Sequence, residues 1–261
     1  MRDKISTAAE AMAEVKDGAL VAFNFWGPGT PLHLMKALSD SGVKDLTVCT
    51  NNYTLRADSL REQGAIDAAT LLPQTRKIIV AFSGVQAEDS SASGEIARRV
   101  QEGTLEIENV SHGILIERLH AGAMHLGGIY SPVGIGTTVE DGKEKRVING
   151  TEYIFQEPIV PDLGLVCASK ADKLGNLVYH GTERAANPII AMASKYTVAE
   201  VFEIVEPGEL DPDSVVTPGV FVDRIVEIPP DGLGTPEKGA AVIRQLGQVE
   251  SVRDLLFGKS E

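Results

Sequence analysis

The chain has 261 residues, with 24 basic and 37 acidic side chains, a net charge of −13, 43% hydrophobic residues and two cysteines. That length supplies a full α/β core without covalent staples, which excludes a small disulfide-built scaffold. The acidic balance argues against nucleic acid and anionic membrane as partners, so an anionic ligand has to be held by a local patch or by backbone N–H groups.

Residues 1–18 are amphipathic and charged rather than leader-like, and no run approaches the roughly 18 apolar residues of a spanning helix, so a cytoplasmic protein is expected. Thr7 followed by Glu10 reads as a capping box for a helix to about Val15, and Asp17-Gly18 turns into an apolar strand over 19–25. Thr30 as N-cap and Pro31 in the first turn open a second helix, where Leu32, Met35 and Leu38 recur at three-residue spacing. Gly27-Pro28-Gly29 is then a tight strand-to-helix loop. That helix stops near Ser41-Gly42, a strand over 46–50 follows, and Asn51-Asn52 sits at its C-terminal end. A strand over 77–82, a helix over 94–101 closed by Gly103, a strand over 104–110 and a helix over 113–120 continue the alternation.

Such alternation with short connections predicts an α/β fold with an open, mostly parallel sheet and helices on both faces. Ligands on such sheets bind beyond the carboxyl ends of the strands, where Gly27-Pro28-Gly29 and Asn51-Asn52 both fall. From 127 to 181 the chain turns rich in glycine and β-branched residues, with turns at Asp141-Gly142, Asn149-Gly150 and Gly175-Asn176. Strands over 153–155, 163–169 and 177–179 there read as a β-rich insertion or an antiparallel edge. Strands over 199–206 and 219–228 close a first domain at 1–228. Two helices over 237–246 and 249–256 make 229–261 a helical extension.

Each motif has a plain reading beside the functional one. The segment Gly27 to Pro31 is either an anion cradle of N–H groups or a tight turn; it lacks the third glycine of a dinucleotide fingerprint and the lysine of a P-loop. Trp26, the only tryptophan, is a core anchor or a site wall. Asn51 and Asn52 are turn residues or amides facing a carbonyl or carboxylate. His112, between Ser111 and Gly113 at a strand-to-helix junction, is a substrate contact or a helix-start residue. Glu106 and Glu108 alternate along a strand, as an acid/base pair or, more simply, as its polar face. His33, His120, His125 and His180 lack metal-ligand spacing, so no metal is expected. Cys49 and Cys167 lie in apolar runs, as buried reduced thiols. No Gly-x-Ser-x-Gly elbow is present.

Read together, these pieces resemble the A (alpha) subunit of the family I 3-oxoacid coenzyme A transferases. The landmarks are Asp17-Gly18, the run Phe25 to Pro31, Asn51, His112-Gly113 before Ile116-Glu117-Arg118, Ala121-Gly122, the run Ser131 to Thr137, Leu174-Gly175-Asn176-Leu177, Asn187-Pro188 and Val216-Thr217-Pro218-Gly219. The resemblance spans about residues 1–227 and implies the sheet of the sugar-phosphate-isomerase and CoA-transferase superfamily. It also implies a B (beta) subunit in an A2B2 heterotetramer, and ping-pong transfer of CoA between a short acyl- or 3-oxoacyl-CoA and a carboxylic acid.

In that family the attacking glutamate belongs to a Glu-x-Gly strand end of the B half, so no catalytic residue is expected in this chain. Glu206-Pro207-Gly208 has the letters but falls outside the equivalent region. Coenzyme A is a substrate and no cofactor is implied. Carried over by position, Phe23, Asn24, Phe25, Trp26, Gly27, Pro28 and Gly29 form the CoA-contacting loop, and Asn51, Asn52, His112 and Gly113 line the substrate pocket. Phe23-Asn24 stands where the family usually has Gly-Gly, and His112 where it has glutamine. A CoA-thioester hydrolase or ring-opening enzyme, and a non-catalytic ligand-binding module, are the alternatives on the same scaffold.

Overall fold

A computed structural model describes residues 3–25, 29–53, 55, 58–62, 65–82 and 91–229. The capping box closes α1 (Ala8–Met12): the Glu10 N–H donates to Thr7 Oγ1 at 3.2 Å and the Thr7 N–H donates to the Glu10 carboxylate at 2.9 Å. β1 (Leu20–Phe23) leads to α2 (Leu32–Ser41), which ends on Gly42 at φ 75°, a left-handed conformation that suits glycine. β2 (Leu46–Asn52), α3 (Asp58–Glu62), β3 (Thr75–Phe82), α4 (Ser91–Gln101), β4 (Glu106–Asn109) and α5 (His112–Ala123) complete the alternating part. β5 (Ile129–Ser131), β6 (Lys145–Ile148), β7 (Thr151–Gln156), β8 (Leu163–Asp172), β9 (Leu177–Val178), α6 (Asn187–Ala193), β10 (Thr197–Val205) and β11 (Arg224–Glu227) follow.

The main sheet runs β11-β10-β8-β1-β2-β3-β4, parallel at every pairing, with β9 antiparallel against β8. Its two faces bury separate cores. Val21, Phe23, Val48 and Leu165 pack with α1 and α2 through Met12, Leu34 and Leu38. Ala22, Cys49 and Val166 pack with α5 and α6 through Leu115, Leu119 and Ile190. Burial on both faces is why these strands read as continuous apolar runs rather than as alternating ones. The mostly parallel sheet expected from the sequence is therefore present, with helices on both sides.

Three local expectations are corrected. β8 does not belong to the β-rich insertion: it lies inside the main sheet between β1 and β10, and only β5-β7-β6 form the separate antiparallel sheet. Its hairpin with β9, turning at Gly175 with φ 93°, makes the segment resemble an antiparallel edge. The final strand begins at Arg224, because Gly219–Phe221 forms a 3-10 turn. α6 went unforeseen, since its seven residues open on Asn187-Pro188 and carry too few turns for a periodic signal. The Asn149-Gly150 turn is as expected: both residues have positive φ, 52° and 81°, and join β6 to β7 as a two-residue hairpin. The helices over 237–246 and 249–256, and Trp26, Gly27 and Pro28, lie outside the described residues.

Candidate functional site

Register places the carboxyl ends of four neighbouring strands level with one another. Phe23 pairs with Thr50, Thr50 with Val80 and Val80 with Asn109, so the chain leaves β1 to β4 along one rim. At about 4.8 Å per strand that rim is roughly 15 Å long. Asn51 Oδ1 accepts the Phe25 N–H at 2.9 Å, tying the segment that leaves β1 to the end of β2. Asn52 pairs with Phe82 and is itself buried inside β2, while Phe82 is 43% exposed at the rim. At the end of β4 the Ser111 hydroxyl caps α5, which leaves His112 and Gly113 as its exposed first turn. Nothing lies within 4 Å of where a Gly113 Cβ would be, so this corner of the rim is open.

At the end of β1, Phe23, Asn24 and Phe25 turn their side chains inward. Phe23 and Asn24 are buried, and Phe25 packs edge-on against Phe23 with centroids 6.4 Å apart. Gly29, at φ 82°, is held from the far side: a Cβ there would lie 2.3 Å from the Glu183 carbonyl oxygen. Asn187, fully buried at the start of α6, donates from Nδ2 to the Gly29 carbonyl at 2.9 Å and to the Glu183 carbonyl at 2.7 Å, and accepts the Cys167 N–H at 3.3 Å. One amide thus fastens the loop to β8 and α6. The sequence showed Asn187 only as part of an Asn-Pro landmark.

The start of α2 differs from the expectation. Its N-cap is Pro31, not Thr30, and Pro31 has no side-chain acceptor for the free N–H groups of the first turn. That acceptor comes from β10: the Leu34 N–H donates to Glu200 Oε2 at 2.7 Å. Glu200 is fully buried, and burial pushes its carboxyl up from an ordinary 4.5 to about 8, against the lowering effect of the Leu34 N–H, the Cys167 thiol and the His33 N–H. The signal available in sequence was a lone acid inside the apolar run 197–201.

At the β4 edge the carboxylates are paired instead. Lys77 Nζ reaches Glu106 at 2.8 Å and Glu108 at 3.0 Å, and Arg118 donates to Glu108 and, at 2.7 Å, to the Glu157 carbonyl. Burial would raise the Glu108 carboxyl; the hydrogen bond and charge of Arg118, with those of Lys77, outweigh it and hold the group below the usual range. The polar-face reading of Glu106 and Glu108 fits this geometry. Both cysteines are free and buried; burial pushes the Cys49 thiol up to about 12 and Cys167 well above its ordinary value, so neither is a thiolate at neutral pH. Burial also pushes the half-buried His33 down. Among the described residues no cluster of His, Cys, Asp or Glu suits a metal, and no helix is long and apolar enough to cross a membrane. The Asn51 amide and the His112 imidazole lie along this rim.

Residues 5–228 match the model of the Coenzyme A transferase family. The chain is 36% identical over 227 residues to the alpha subunit of the acetate CoA-transferase of Escherichia coli K12, covering 87% of this chain and 97% of that one. It is 38% identical over 223 residues to the A-type subunit of the probable succinyl-CoA:3-ketoacid coenzyme A transferase of Bacillus subtilis, covering 85% and 88%. In fold it resembles the acyl-CoA transferase of E. coli O157:H7 solved as a thioester complex with CoA, at TM-score 0.74 and 23% identity over 90% of this chain, and it spans about half (49%) of that longer polypeptide. Its fold, its extent and its similarity to these alpha or A-type chains agree, and the chain belongs to the Coenzyme A transferase family as an A-type subunit.

Proposed function

We propose that this chain is the A half of a heteromeric enzyme that moves CoA between a short acyl- or 3-oxoacyl-CoA and a carboxylic acid by ping-pong chemistry, in an A2B2 assembly with a B (beta) subunit. One observation carries the reading: the chain covers nearly all of a relative named as an alpha subunit, yet about half of the longer chain of a solved acyl-CoA transferase. The half-site fits that division. Its thiols are buried and protonated, its β4 carboxylates are engaged by Lys77 and Arg118, and its rim offers binding groups.

In this reading a glutamate carboxylate on the B partner attacks the thioester carbonyl. CoA leaves as thiolate, giving an acyl-glutamyl anhydride; the thiolate then attacks the glutamyl carbonyl, forming an enzyme thioester and releasing the first carboxylate. The second carboxylate reverses both steps to leave as its CoA thioester while the glutamate is regenerated. The detour is physically sensible, because a free carboxylate becomes a competent acyl group only once activated as an anhydride. Contacts to the CoA tail along the loop Phe23 to Gly29 supply binding energy for that step. Asn51, His112 and Gly113 border the acyl group, with Asn52 supporting the rim from inside β2.

A second reading has its own observation: His112 is an exposed imidazole at the open corner of the rim, placed to activate water. One experiment separates the two. The A–B complex is incubated with acyl-CoA and no acceptor, then treated with borohydride. A trapped thioester on the B partner supports transfer; steady release of free CoA makes the enzyme a hydrolase.

A further inference from the structure

We infer that Glu200 is a positioning residue for the CoA-binding loop: it serves as the N-cap that α2 lacks, and so sets where the Gly29 end of that loop lies. The inference rests on the proposed function for its consequence in catalysis, and on geometry for its existence. Pro31 cannot cap α2, and the third N–H of the helix, that of Leu34, finds its acceptor 166 residues away on β10. The His33 N–H is directed at the same carboxyl.

Stability alone does not ask for an acid here. The position lies in a parallel strand buried on both faces, between Val226 of β11 and Cys167 of β8, where an apolar side chain packs at lower cost and a serine or aspartate at 31 would cap the helix locally. Glu200 also remains half satisfied, since Oε1 is buried without a hydrogen-bond partner. The groups around it are the Cys167 thiol on β8, His33 on α2, whose imidazole burial pushes toward neutrality, and Glu183 from the turn before α6, which acts on Cys167. None of these brings a cation against the carboxyl, so it changes charge within reach of neutral pH.

Both attachments of the loop converge on the β8–β10 pair. One runs from Glu200 through the first turn of α2, and the other from Cys167 through Asn187 to Gly29. Below about pH 8 the neutral acid accepts from α2 without a buried charge. Above it the ionised carboxylate still accepts from the Leu34 and His33 N–H groups, but burial disfavours its charge, and the helix start and loop shift to accommodate it.

Trp26, the only tryptophan of the chain, lies within the loop in sequence and reports on it directly. Its emission in the purified full-length chain is expected to show a transition near pH 8 that Glu200→Gln abolishes. In the A–B complex, KM for acyl-CoA should rise about five- to tenfold between pH 7 and pH 9 while kcat stays within about twofold, as a loop displaced by a buried charge implies. Glu200→Gln, which still accepts from Leu34, should keep the neutral-pH KM across that range, and Glu200→Ala should raise KM at every pH. The same emission transition in Glu200→Gln, or parallel KM profiles for wild type and Glu200→Gln, would overturn the inference, and neither depends on Glu200→Ala folding. A complex with no transferase activity defeats the proposed function, and the fluorescence result still decides the role of Glu200.

Discussion

Glu200 and Glu108 occupy parallel strands of one sheet and have opposite electrostatic fates. Glu200 lies deep between β8 and β11, meets helix N–H groups and a thiol, and is pushed up to about 8. Glu108 lies on the edge strand β4, where burial also opposes its charge, but Arg118 and Lys77 overcome that and keep it ionised. Residue type and strand direction are the same; the presence of a cation decides the outcome. The interior of the sheet therefore stores an uncharged acid against the start of α2, whereas the edge uses its acids as ordinary scaffolding.

The contrast can be broken at three depths. The largest effect is expected at the loop anchor, where both attachments meet. Gly29→Ala combines a positive φ with a Cβ 2.3 Å from a backbone oxygen, and should destabilise the chain by about 3 kcal/mol in urea unfolding. A loss under about 1 kcal/mol would mean that the loop is not fixed against Glu183.

Next comes the interior acid. The folded carboxyl of Glu200 holds its proton above the unfolded value of about 4.5, so the native state binds more protons between roughly pH 5 and pH 8 and stability falls as pH rises through that window. Glu200→Gln should flatten the dependence, and an unchanged slope would place the charge change elsewhere.

The smallest effect belongs to the edge. Glu108→Gln should cost about 1 kcal/mol at pH 7, discounted because the pair is partly solvated. Its sign runs the other way: the folded pKa is depressed, so the stabilisation is complete above the unfolded value and is lost as pH falls through the folded one. Wild type and Glu108→Gln should converge in acid, and a gap that persists there would indicate lost packing rather than lost charge.

Much of this architecture was legible in local sequence, because alternating apolar strands and capped helices advertise themselves over ten residues. The Thr7–Glu10 box, the Gly42 stop and the Asn149-Gly150 hairpin are cases where cause and effect are neighbours. β8 was misplaced because its hairpin with β9 looks like an edge from within, while its neighbours β1 and β10 are set by long-range pairing. The rim was legible too: Asn51, His112 and Gly113 border it as their strand-end positions suggested, whereas Asn52 is buried. What holds the loop was not legible. Thr30 satisfies the local rule for a cap, yet the acceptor is on Glu200, and Asn187 joins three segments that no window contains. A tertiary substitute for a local signal leaves a trace only as an oddity, here an acid in an apolar strand.

The central claim is that this polypeptide supplies half a site and that the attacking carboxylate arrives on another protein. Its most direct test is to assay the purified chain alone and together with its B partner for exchange of CoA between acyl-CoA and a carboxylic acid. The account predicts exchange only in the mixture, with the thioester trapped on the B partner; exchange by the single chain would contradict it.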